Sequence, residues 1–123
     1  MARSRRIQIY SLSVLLNLFI LVPLVAAQGI PSMHWGGMEL QTSVNNCIGR
    51  ARKAVFDARL NNTQGARWQV YGHNNNAAVL VSCAAMANKR SYLTVVASSS
   101  DSRAAELLRN DVRTRIARMR EFD

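Results

Sequence analysis

The chain has 123 residues, 49% of them hydrophobic and 19% charged, with sixteen lysines and arginines against seven acidic residues. That length fits one domain, and so ordinary a composition excludes wholesale disorder, a collagen-like repeat and a dense disulfide scaffold. The net charge of +9 favours anionic surroundings without specifying one.

The amino terminus carries a targeting pattern. Arg3, Arg5 and Arg6 are followed by no charged residue until Glu39, and Leu12 to Ala27 is dense in Leu, Val, Ile and Phe. The run closes on Pro23-Leu24-Val25-Ala26-Ala27 before a polar Gln28. A basic start, an apolar middle and small residues before a polar one describe a secretory signal peptide, with Val25 and Ala27 at the two positions that must be small. The alternative is a retained membrane anchor, since Ile7 to Ala27 is 21 uncharged residues and long enough to span a bilayer. Gln8, Ser11, Ser13 and Asn17 weaken such a span. Both readings place the folded part outside the cytoplasm, periplasmic or secreted, and the leader is bacterial in style. The expected organisation is a signal peptide over 1–27 and a single small α+β domain over 28–123, with 13 basic and 7 acidic residues left and a net charge of +6.

Gln28 to Ser32 reads as a loose leader, and Met33 to Leu40 as a first strand interrupted by Gly36 and Gly37. From Thr42 or Ser43 a helix is predicted to run to about Leu60. Its apolar stripe is Val44, Cys47, Ile48, Ala51, Val55 and Ala58, while Arg50, Arg52, Lys53, Asp57 and Arg59 fall on other faces. Asn61-Asn62-Thr63-Gln64-Gly65 reads as its terminator, and Asn61-Asn62-Thr63 is also a formal glycosylation acceptor.

The period then changes to two. Trp68, Val70 and Gly72 alternate with Gln69, Tyr71 and His73, and Asn74-Asn75 supplies hairpin turn chemistry. Ala77 to Ala85 and Ser91 to Ser98 follow as strands. The expected hairpin register sets Val70 opposite Val79 and Trp68 opposite Val81. Keeping Leu93 and Val95 on the side of Val81 and Cys83 requires an odd loop, taken as Asn88-Lys89-Arg90. Ser100 or Asp101 caps a last helix with the stripe Ala104, Leu108, Val112, Ile116 and Met119. The predicted fold is β-α-β-β-β-α, a small antiparallel sheet with two helices packed on one face.

Two cysteines in an exported chain point to a crosslink. Cys47 lies on the buried stripe of the first helix and Cys83 in the inward set of the middle strand, so a Cys47–Cys83 disulfide is expected. There is no C-x-x-C redox signature.

No motif names a reaction. His34 and His73 have no neighbour at metal-ligand spacing, Gly36-Gly37 is no phosphate cradle, and no G-x-S-x-G elbow is present. No catalytic residue, metal or cofactor is assigned, and no specific nucleic acid is expected. Two surfaces are candidates for interaction. The outer sheet face displays Gln69, Tyr71 and His73, with Leu80, Ser82 and part of the last strand, and is suited to a protein partner or to self-association. On the last helix Arg109, Arg113 and Arg120 share one flank of the apolar stripe, a footprint for membrane headgroups or polyanions.

This order of elements, with one cysteine in the first helix and another inside Val81-Ser82-Cys83, resembles small exported bacterial α+β proteins of unknown function over most of residues 33–118. That resemblance implies no activity and no site residues. The expected function is therefore an accessory domain acting by binding and without catalysis. One alternative is an anionic-surface binder using the arginines of the last helix. The other is a small hydrolase built on His34 or His73.

Overall fold

The computed structural model describes residues 30–120, the side chains of 62–64 excepted; the leader segment 1–27 lies outside the described residues. The elements are β1 (Ser32–Leu40), α1 (Val44–Asp57), β2 (Asn61–Gln64), β3 (Gln69–His73), β4 (Ala77–Ala85), β5 (Ser91–Ser99) and α2 (Ser102–Arg118). The strands form one antiparallel sheet in the order β1-β5-β4-β3-β2. Both helices pack on the same sheet face, α1 over β3 and β4 and α2 over β1 and β5, and they touch each other. The predicted α+β class and layering are what the structure shows, with one strand more than the sequence suggested.

The core follows from strand alternation. Val70, Val79, Val81, Cys83, Leu93, Val95 and Ala97 point to the helices and are buried, together with Cys47, Ala51, Ala54 and Val55 of α1 and Val112 and Ile116 of α2. A Cys47–Cys83 disulfide joins α1 to β4 across a Cα separation of 6.2 Å. The predicted pairing therefore holds, and such a bond fits an oxidising, extracytoplasmic setting.

Helix ends are set by local chemistry. The Ser43 side chain accepts from the Asn46 N–H at the start of α1, and Asp101 accepts from Arg103 and Ala104 at the start of α2. Helix α1 stops at Asp57, earlier than predicted, because Arg59 turns left-handed at φ 61°. The Arg59 N–H then donates to the Phe56 carbonyl and the Leu60 N–H to the Val55 carbonyl, a Schellman closure that also buries Leu60.

Several registers differ from the sequence reading. The segment taken as a helix terminator is strand β2, pairing Asn61 with His73 and Gln64 with Val70. The β3–β4 hairpin pairs Val70 with Val81 and Gly72 with Val79, two residues away from the expected register. Its turn is Asn75-Asn76, because the Asn74 Oδ1 accepts from the N–H groups of both Asn76 and Ala77. A shift of two preserves the facing of every side chain, so the inward set is unchanged. Trp68 leaves the sheet for the β2–β3 turn, where its carbonyl accepts from the Cys83 N–H and Arg67 lies 4.8 Å over its ring. Between β4 and β5, Cys83 pairs with Leu93 and Val81 with Val95, as the facing argument required. The odd loop sits one residue earlier, at 87–89, with Asn88 and Lys89 both left-handed.

Arg50 is the main departure within the helices. Predicted on an outer face, it is only 3% exposed and its Nη1 donates to the Ile116 carbonyl near the end of α2. The two helices lie side by side on the sheet, so this flank of α1 faces the carboxyl-terminal carbonyls of its neighbour and a favourable dipole. Burial, with the Arg120 charge adding to it, holds the Arg50 guanidinium below its ordinary pKa. In α2 the fully buried alanine is Ala105, while Ala104 is only half-buried.

Candidate binding surfaces

The outward positions of the sheet assemble into rows across the strands. Register places Trp35 beside Val96, Val96 beside Leu80, and Leu80 beside Tyr71. This apolar row crosses four strands, with an aromatic ring at each end. Trp35 is 70% exposed and Tyr71 40%. Met33 and Tyr92 extend the exposed apolar area on either side of it. The Tyr92 ring lies over Gly37, which has no side chain to cover the strand itself. Glu39 is the one charged residue among the outward positions of β1, β3, β4 and β5, and it pairs with Arg90.

Of the residues singled out from sequence, Gln69, Tyr71 and His73 do share this face. The Tyr71 and His73 rings stand 5.6 Å apart. At that end of the sheet they border a shallow cleft of about 400 Å³ that also takes in Asn75, Asn76, Ser98 and Ser100. Trp35 and Met33 join this surface although the sequence reading, which interrupts the strand at Gly36 and Gly37, does not place them there. The strand's alternation around Gly36 and Gly37 is the available signal.

The arginines of α2 are not one array. Arg109 and Arg113 lie together across Gly36 of β1, where an added Cβ would sit 3.1 Å from the Arg113 Nη1 and 3.4 Å from the Arg109 Cδ. Arg109 is anchored, its Nη1 donating to the Trp35 carbonyl at 2.9 Å and its Nε and Nη2 to the Asn110 Oδ1. It thereby covers a carbonyl of edge strand β1. Arg120 lies beyond the end of α2, near Arg50. A second cleft, of about 410 Å³, opens between β1 and α2 and is lined by Met38, Arg113, Thr114, Ala117 and Arg118.

The two histidines are far apart in role. The His34 Nε2 lies 2.9 Å from the Ser102 Oγ at an exposed position, a spacing that suits a nucleophile and its base. The adjacent Asp101 accepts through its Oδ1 from the N–H groups of Arg103 and Ala104 at the start of α2. His73 belongs to the cleft of Tyr71. Among the described residues, no three His, Cys, Asp or Glu side chains gather as metal ligands, and no helix is long and apolar enough to cross a membrane. Compared with known protein families, characterised proteins and solved structures, the chain matches none.

Proposed function

We propose that the protein is an exported accessory domain that works by binding through the outer face of its sheet, without chemistry of its own, and that the occupant of this face is a second copy. The carrying observation is the Trp35–Val96–Leu80–Tyr71 row on a face that is almost free of charge. With strands about 4.8 Å apart and about 3.3 Å of rise per residue, the face projects about 600 Å². That is close to the roughly 800 Å² per partner of a stable interface. Two copies related by a two-fold axis through the centre of the face set Leu80 and Val96 against their equivalents, with the rings of Trp35 and Tyr71 exchanging neighbours. The cationic helices then lie on the two outer sides, where their repulsion is least.

Export rests on the leader pattern, with the disulfide in agreement, and the same reading makes the source cell bacterial and the compartment periplasmic or external. Intact-mass measurement on protein from the exported fraction should give a chain that begins at Gln28; a mass that retains residues 1–27 sinks the cleavage. On the same material, sedimentation should report a dimer at micromolar concentration. Trp35→Asp, on an exposed edge position, should yield a monomer with unchanged circular dichroism. A wild-type monomer at 100-fold higher concentration removes the second copy as occupant.

A further inference from the structure

On the opposite side of the sheet, and independently of the dimer, we propose that the cleft between β1 and α2 binds a phosphate ester, held by Arg113 and Arg118 with the Thr114 hydroxyl. Glu39 pairs with Arg90, Asp57 with Lys53, Glu106 with Arg103 and Asp111 with Arg115. Asp101 caps α2. Every carboxylate among the described residues is thus engaged elsewhere. Arg109, Arg113 and Arg118 have no ion-pair partner among those residues, although Arg109 and Arg113 are close enough to lie together over Gly36.

Like charges held side by side lower the cost of bringing in an anion, and guanidinium forks match a tetrahedral oxyanion in two directions. Arg109 is already tied to the Trp35 carbonyl and to Asn110, so it contributes field and not contact. Arg113 and Arg118 face a cleft of about 410 Å³, whose volume suits a small ester and exceeds what one oxyanion fills. The remaining lining carries the distinction between an ester and a bare ion. Met38 and Ala117 make an apolar wall beside the cations, which suits the carbon attached to a phosphate oxygen. The shared chemistry is a phosphate ester with a short alkyl arm, present both in a free sugar or glycerol phosphate and in a phospholipid headgroup.

Two probes separate these sources, both applied to the exported protein. One is glycerol 1-phosphate, titrated by calorimetry. The other is phosphatidylglycerol–phosphatidylcholine vesicles, followed by co-sedimentation. Saturable binding of at least one is expected, weakening with salt because the cleft is open to solvent. Arg113→Gln/Arg118→Gln should weaken it at least tenfold. Arg103→Gln/Arg115→Gln removes the same two charges from the same helix but outside the cleft, and should leave affinity within threefold. Ala117→Glu keeps both arginines and places a carboxylate four residues from Arg113, so it should abolish binding by forming an internal pair. Binding of glycerol 1-phosphate assigns a free ester, and binding of vesicles alone assigns a headgroup. No binding of either probe overturns the proposal. So does equal loss in the two double variants, or undiminished binding by Ala117→Glu.

Discussion

Replacing Cys47 and Cys83 together by alanine is expected to lower the unfolding free energy by about 4 kcal/mol and Tm by on the order of 15–30 °C. The bond closes a loop between residues 36 apart in sequence. In the chain-entropy account its effect lies mostly in the unfolded state, which gains conformations once the loop is opened. That origin can be separated from a loss of core packing. Loss of the crosslink should raise the urea m-value, because the unfolded chain becomes more expanded, whereas loss of core contacts alone leaves it unchanged. For a domain of this size, with a total stability of about 5–15 kcal/mol, the change decides whether the protein stays folded when warmed. The two cysteines are 0% and 2% exposed, so a reductant acts only on opened molecules. The thiol count is therefore made on unfolded, unreduced protein. Two free thiols per chain, or a Tm within a few degrees of wild type, would contradict the crosslink.

The second large effect is expected at Gly72 of β3. A Cβ built there lies 2.3 Å from the Val55 Cγ1 and 3.1 Å from the Leu60 Cβ, so α1 and the chain after it rest directly on the strand backbone. Ordinarily Gly→Ala within a strand gains about 0.5–1 kcal/mol from the unfolded state. Here the sign reverses. Val55 is β-branched, stiff at χ1 and fully buried, so the overlap is relieved only by lifting the helix or forcing a rotamer. Gly72→Ala should cost about 2–3 kcal/mol, and Gly72→Val more. Val55→Ala opens the space, so the double variant should be more stable than the sum of the two single changes by at least about 1 kcal/mol. Additive effects, or a Gly72→Ala protein as stable as wild type, would show that the helix is not seated on this glycine.

That contact illustrates what was legible and what was not. A glycine inside an alternating strand reads as a close approach of some neighbour, but nothing in the run from Trp68 to His73 names Val55 as that neighbour. The outer surface divides in the same way. Tyr71, His73 and Leu80 could be placed on it from alternation and the hairpin, whereas Trp35 needed the register that pairs β1 with β5. On a helical wheel Arg109, Arg113 and Arg120 share a flank and Arg118 lies on another side. Only packing separates the anchored Arg109 from Arg113, brings Arg113 and Arg118 to one cleft, and sets Arg120 apart beyond the helix end.

Sequence by itself determined the elements whose signal is local and periodic. The stripe of α1, the stripe of α2, the inward sets of β4 and β5, and the side on which Cys47 and Cys83 meet all follow from periods of 3.6 and 2. A shift of two residues leaves such assignments intact, which is why the hairpin error at Asn74 did no damage to the core. Tertiary structure alone decided β2, whose Asn-Asn-Thr-Gln run carries no apolar period and becomes a strand because the free edge of β3 offers its backbone groups partners. It also decided the burial of Arg50, whose Nη1 donates to the Ile116 carbonyl near the end of α2. Both cases turn on hydrogen-bonding groups supplied by a distant segment, and a distant segment's position is not written in local pattern.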